Sequence, residues 1–232
     1  MTRLDETAWP GIPDRALVIV PLGSTEQHGP HLPFDVDARI AAAVAQAAGE
    51  RLGAVVAPVL AYGSSGEHQQ FAGTLSIGQD ALRVLLIELV RSARTWAARV
   101  VLITGHGGNV PVLSEVVPTL RAEGHDVAWL GLGVPGGDAH AGRVETSLML
   151  HFDPANVGEF ADAAGATQPI GDLMPRLREG HLREVTPNGV LGDPRTATAA
   201  EGEALLGQMV DGVVARIRLA RIGALGELAA RA

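Results

Sequence analysis

Apolar residues along this chain fall into two patterns. In residues 16–22, 54–60, 99–104 and 126–132 they form short, nearly unbroken runs of strand length. Strands that are apolar at almost every position are covered on both faces, which is the habit of parallel sheets flanked by helices. In 36–52, 79–97, 110–123 and 198–222 they instead keep helical spacing or accompany alanine-rich composition. The stripe Leu82, Leu85, Leu86, Leu89 and Val90 marks the second helix, and Leu205, Leu206, Met209, Val210, Val213 and Ile217 keep one face of the last. A shorter helix is expected over 143–151. Residues 1–15 read as loop, punctuated by Pro10, Gly11 and Pro13, and 62–78 as a long polar loop. Residues 133–142 form a glycine-rich loop, and 152–196, with five prolines, reads as irregular with room for one small helix. Strands alternating with helices predict an α/β fold built on a mainly parallel sheet. Without an internal repeat or a linker, residues 1–232 are expected to form a single domain.

Composition narrows the function classes. Of 232 residues, 47% are hydrophobic and 19% charged, which suits a packed core and excludes a disordered chain. The net charge of −8 argues against a nucleic-acid binder, which needs clustered Lys and Arg. No cysteine is present, so neither disulfides nor thiolate zinc sites are available. No apolar stretch has the roughly 20 residues needed to cross a bilayer. Asp5 and Glu6 stand where a signal peptide would be basic, so no membrane is expected and the location is expected to be cytoplasmic.

The candidate chemistry lies just after predicted strands, where α/β folds gather reactive groups. Ser24-Thr25-Glu26-Gln27-His28 is followed by Asp37 at the start of a helix, and Gly105-His106-Gly107-Gly108-Asn109 follows another strand. Glu26 and His28 are two apart, so in extended backbone they point the same way. Each residue alone has a plainer role as a cap or loop residue. Carboxylates and imidazoles gathered in two strand-end loops instead suit Zn²⁺, Mn²⁺ or Fe²⁺. An aspartate can bridge two ions, and such a pair would activate water and polarise a carbonyl. In a third cluster, Asp138 to Ser147, Glu145 falls in a first helical turn, where the dipole favours an acid, and is also a candidate ligand. His140 reads as a ligand, a proton shuttle or a loop residue. Glu67 and His68 sit in the long loop as candidate substrate contacts, with a surface pair as the alternative. The Gly107-Gly108 backbone would let substrate approach closely. His31 reads either as a donor to a ligand carboxylate or as a local loop bond. Asn109 is expected to cap the helix at Val110, and Asp193-Pro194 with Thr196 and Thr198 to cap and start the last helix.

Rival readings are weaker. Gly131-Leu132-Gly133-Val134-Pro135-Gly136 satisfies a dinucleotide-binding spacing, but it follows the fourth strand and continues as loop. His106-Gly107-Gly108 resembles an oxyanion-hole loop, yet no G-x-S-x-G occurs for a serine hydrolase. A non-catalytic metal-binding scaffold would hold metal without turnover.

The stretches Pro21 to Pro33, Asp37, Gly105 to Asn109, His140-Ala141-Gly142, Glu145-Thr146-Ser147, Gly189 to Pro194 and Ala197 to Gly202 resemble the creatininase family of amidohydrolases. The resemblance runs from about residue 16 to 215. It implies a three-layer α/β/α fold, a binuclear metal centre, amide hydrolysis and a homo-oligomer. By position it implies that Glu26, Asp37 and His106 hold one ion, and His28 with Asp37 the other. The family's namesake carries a glutamate where this chain has Gly108, which leaves Glu145 as the replacement ligand and turns the expectation away from creatinine. His140 matches the family histidine that handles protons near the substrate. Three further stretches, Ala61 to Gln69, Arg91 to Trp96 and Thr186 to Gly202, resemble the mycofactocin-system branch of that family. That likeness implies a peptidase that releases a modified C-terminal Val-Tyr dipeptide from a small precursor peptide. The alternative is action on a small cyclic amide or a formamide.

Overall fold

The computed structural model describes residues 1–229. Among them, five strands form one sheet: β1 (Thr2–Arg3), β2 (Leu17–Leu22), β3 (Val55–Val56), β4 (Arg99–Thr104) and β5 (Val127–Gly131). Their order is β1-β3-β2-β4-β5, and every pairing is parallel. The centre of the sheet is the ladder from Leu17 opposite Arg99 to Leu22 opposite Thr104. The helices are α1 (Val36–Leu52), α2 (Gly78–Ala93), α3 (Val110–Ala122), α4 (Arg143–Phe152), α5 (Ile170–Arg178), α6 (Leu182–Val185) and α7 (Ala199–Leu219).

The side-chain alternation of each strand feeds two separate cores. Ile19, Val101, Ile103, Ala128 and Leu130 pack with α1, α4 and α7 on one face. Val18, Val20, Leu22, Val100, Leu102 and Val127 pack with α2 and α3 on the other. The result is a three-layer α/β/α arrangement, and it explains why the strands are apolar at successive positions. α2 is held through Leu82, Leu86 and Val90, all buried, each contributing about 1.5–3 kcal/mol. No helix among the described residues is long and apolar enough to cross a membrane.

Several boundaries differ from the sequence expectation. Residues 1–15 were expected to be loop, but Thr2 and Arg3 pair with Val55 and Val56 at the sheet edge, a contact too short and polar to leave an apolar signature. The run 54–60 contributes only Val55–Val56 to the ladder, then touches β2 again through Leu60 beside Leu22. Pro58, which has no N–H, lies between these contacts. The second helix stops at Ala93 instead of residue 97. The last stops at Leu219, where Ala220 takes a left-handed conformation (φ 52°). Residues 152–196 hold two helices, α5 and α6, instead of one, around a satellite cluster of Leu177, Leu182 and Leu191.

Candidate metal centre

Three strand-end loops meet at the C-terminal edge of the sheet. After β2 the chain carries Glu26 and His28 and enters α1, with Asp37 in its first turn, where the helix dipole favours a carboxylate. A backbone bond from Glu26 N to the Phe34 carbonyl, 2.9 Å, closes this loop on itself. After β4 comes His106, and after β5 the loop that brings His140 and then Glu145 in the first turn of α4. Asn109 ties the loops together. It accepts from Ser64 N at 3.0 Å and donates to the Gly23 carbonyl at 3.0 Å. It does not cap the following helix with its side chain as expected, because both ends of its amide are used across the loops.

Asp37 is buried, and its two oxygens face different rings: Oδ1 lies 3.4 Å from His28 Nε2 and Oδ2 lies 3.3 Å from His106 Nδ1. Ser24 Oγ donates to Oδ2 at 2.6 Å. Glu145 Oε2 lies 3.8 Å from His28 Nε2 and accepts from Ala141 N at 2.6 Å. Glu26 is fully buried, with Oε1 3.3 Å from His68 Nε2 and 3.7 Å from His140 Nδ1, and Oε2 3.2 Å from His106 Nε2. Glu67 stands further out, 3.9 Å from His106 Nε2. Gly107 is exposed at the start of a short 3-10 turn, and Gly108 follows under His106 and the Ser64 carbonyl. His31 bonds Thr146 Oγ1 through Nε2 at 2.8 Å, so in place of either expected role the ring ties its loop to the distant helix α4.

The predicted residues Glu26, His28, Asp37, His106, His140 and Glu145 therefore come together. His68, expected only as a loop contact, is buried among them. Its ring lies 4.5 Å from that of His140, centroid to centroid. Gln27 went unnoticed in the sequence, yet it is buried and touches both His68 and His140. Its place between Glu26 and His28 was the only signal available. Asp193 caps the 3-10 turn Pro194–Thr196, and Thr198 caps α7.

The electrostatics are those of a compact charge cluster. Burial alone would raise the Glu26 carboxyl, but His106 and His68 outweigh it and bring it down to about 2. Asp37, also opposed by burial, is held well below the usual carboxylate range by His28 and His106. Burial would lower His28, yet Asp37 and Glu145 push it up to about 10, and His106 is likewise raised by Glu26 and Asp37. Glu145 goes the other way: burial raises it to about 7 against the pull of His28. Burial pushes His140 well below the ordinary histidine value and brings His68 down to about 4.

The donor set fits a divalent cation. Both carboxylate oxygens of Glu26 and Nε2 of His28 are buried with no hydrogen-bond partner. Such orphaned groups are costly unless something else neutralises them. Donor atoms of Glu26, His28 and Asp37 lie within 4.8 Å of one another, as do those of His28, His140 and Glu145, and of Glu26, His68 and His140.

Residues 5–217 match the creatininase profile, described as creatinine amidohydrolase. The chain belongs to the creatininase family. As a creatininase-family protein it is a hydrolase acting on C–N bonds that binds divalent metal, and its Glu, His and Asp groups are spaced as ones that could hold such an ion. It is 52% identical over 220 residues to the mycofactocin precursor peptide peptidase of Mycobacterium ulcerans, covering 91% of this chain and 86% of that one. Among solved structures, a zinc–zinc form of a creatininase variant matches with a TM-score of 0.75 and 29% identity, covering 94% of this chain and 97% of that one. A manganese form of creatininase matches with a TM-score of 0.74 and 27% identity, covering 94% and 98%.

Proposed function

We propose that this protein is the peptidase of mycofactocin biosynthesis, releasing the modified C-terminal Val-Tyr dipeptide from a small ribosomally made precursor. The observation that carries this reading is the 52% identity to a peptidase of that name, against 29% to creatininase. Gly108, in place of the creatininase glutamate, supports it. So does a cavity of about 230 Å³ lined by Gly107, Asp138 and Glu145 as well as Ile40, Leu132 and Val144, which gives a side chain of the peptide a seat of mixed polarity.

Two divalent ions fit the donor set, with Zn²⁺, Mn²⁺ and Fe²⁺ all suited to it. Glu26, Asp37 and His106 would hold one, and His28, Asp37 and Glu145 the other, since the two Asp37 oxygens face the two histidines separately. Bound there, the ions would supply Lewis acidity, making water nucleophilic near neutral pH and polarising the scissile carbonyl. His140 moves the proton. Its Nε2 donates to the Gln27 carbonyl at 2.7 Å, so Nδ1 is free to take a proton from the attacking water and return it to the leaving nitrogen. The open backbone at Gly107 would let the peptide lie close to the centre, while Gly108, expected to do the same, is packed under His106 and the Ser64 carbonyl; Glu67 and His68 would line the approach. Residues 1–232 would act as one domain, in a cytoplasmic homo-oligomer.

The test incubates purified, metal-loaded protein with the modified precursor peptide and, in parallel, with creatinine, and reads products by mass spectrometry. Release of Val-Tyr is expected. Creatine formation with no dipeptide would overturn the reading.

A further inference from the structure

We propose that Gln27 is a positioning residue that fixes the protons of two histidines, and thereby makes His68 the hydrogen-bond donor of the centre instead of a further metal ligand. This rests on the metal-centre part of the reading above and is independent of the substrate.

The side-chain amide of Gln27 has one permitted orientation. One end lies 2.9 Å from the Gly29 N–H, which must be accepted, and the other lies 3.0 Å from the Gly189 carbonyl, which must receive a donor. Flipping the amide would set donor against donor and oxygen against oxygen, leaving buried polar groups unpaired. Gly189 makes room for this arrangement. Its φ is +82°, and a Cβ there would stand 1.9 Å from Gln27 Oε1.

With Oε1 and Nε2 thus assigned, the amide has two hydrogens to place. One goes to the Gly189 carbonyl. The other has two candidates, His68 Nδ1 at 2.9 Å and His140 Nε2 at 3.1 Å. His140 Nε2 is also 2.7 Å from the Gln27 carbonyl, which can only accept, so that nitrogen carries a hydrogen and is no acceptor. The second amide hydrogen therefore goes to His68 Nδ1. A neutral imidazole has one N–H, so that of His68 is on Nε2, the nitrogen that lies 3.3 Å from Glu26 Oε1.

The other three rings are set the opposite way. Backbone carbonyls of Glu26, Ser64 and Gln27 take the N–H of His28, His106 and His140 at 3.0, 2.9 and 2.7 Å. On each ring the other nitrogen faces the carboxylates, where a cation would displace any proton it carries, the arrangement of a metal-ligating histidine whose second nitrogen is anchored. His68 alone of these four is held by a donor and presents an N–H. It has no lone pair there to give a cation, and instead faces the Glu26 carboxylate with an N–H. The grouping of Glu26, His68 and His140 by distance is thus not a third ion site.

The test is two-bond ¹H–¹⁵N correlation NMR of ¹⁵N-histidine-labelled protein, metal-free and zinc-loaded, with His68→Gln identifying the His68 signals. Wild type should show His68 protonated on Nε2 in both states, with its ¹⁵N shifts unmoved by zinc while the carboxylate-facing nitrogens of His28 and His106 lose their protons and move. His68→Gln should keep the wild-type zinc content, since a glutamine amide can still donate. In Gln27→Glu, where an acceptor replaces the donor, the His68 proton should move to Nδ1. A bare His68 Nε2 that shifts on zinc binding, or loss of an ion in His68→Gln, would overturn the proposal. A failed peptide assay beside the expected spectra would remove the substrate reading alone.

Discussion

Gly107 and Gly108 are adjacent and chemically identical, yet the structure predicts opposite responses to a single added methyl. A Cβ at Gly108 would stand 2.3 Å from His106 Nε2, 2.3 Å from the Ser64 carbonyl oxygen and 2.8 Å from Glu67 Oε1. The first two atoms are hydrogen-bond partners 2.9 Å apart, so the methyl would land on the bond itself. One side of the clash is backbone and cannot swing away. Overpacking of this kind costs about 1–3 kcal/mol, and the displaced hydrogen bond adds roughly 1 kcal/mol. Gly108→Ala should therefore destabilise the metal-free protein by about 2–4 kcal/mol. The same bond anchors the His106 ring, and losing such an anchor weakens metal affinity about 10–100-fold. A Cβ at Gly107 meets nothing within 4 Å, so Gly107→Ala should stay within about 0.5 kcal/mol of wild type. Urea unfolding of the metal-free variants reads the first effect as a midpoint lowered by about 1 M at unchanged slope. Competition with a chromophoric chelator reads the second. If Gly108→Ala matched Gly107→Ala in both measurements, the Ser64 carbonyl would not be what holds His106.

Three other outcomes follow from the same centre and its scaffold. Stripping the protein with a chelator should abolish turnover, and zinc restored at 100 times its dissociation constant should raise the unfolding free energy by about 2.7 kcal/mol, with an unchanged denaturation curve counting against the site. Because His28 is raised to about 10 in the metal-free protein, zinc must displace its proton, and affinity should climb by up to about tenfold per pH unit between pH 7 and 9. In the metal-free state the His28 contribution to stability is complete below 6.5 and lost as pH rises through about 10, so a pH-independent zinc affinity would contradict the protonated starting state. Thr198 Oγ1 accepts from Glu201 N at 3.2 Å at the start of α7, so Thr198→Ala should cost about 1 kcal/mol, or roughly 2–4 °C in melting temperature, with zinc content unchanged.

The fold was legible wherever burial on two faces writes itself into one run of residues. β2, β4 and β5 each carry side chains into both cores, so their apolar runs could hardly be read otherwise. β1 escaped for the opposite reason. An edge pairing of two residues, Thr2 and Arg3 on Val55 and Val56, draws its stability from backbone bonds that any side chain permits. The two helices within 152–196 were obscured because α5 contains Pro175 and α6 has only four residues, too few for a period to register.

For the centre, residue type and loop position were enough to propose which acids and imidazoles converge, because few buried environments tolerate Glu26, Asp37 and His28 without a cation. They were not enough for His68, whose loop spacing says nothing about burial, nor for Gln27, whose amide is not a metal donor. What separates His68 from its three neighbours is the position of one hydrogen. That position is decided by whether a ring's outer nitrogen meets a carbonyl or an amide N–H, and those partners come from residues 26, 27 and 64. A substitution at Gln27, which supplies no ligand, should for that reason alter the centre more selectively than one at Glu26, which removes two unpaired oxygens at once. A ligand list drawn from residue types treats all four histidines as equivalent. Their hydrogen-bond partners divide them into three whose carboxylate-facing nitrogen can give its lone pair to a cation and one held as an N–H donor, and a water or carbonyl at the centre would meet that difference directly.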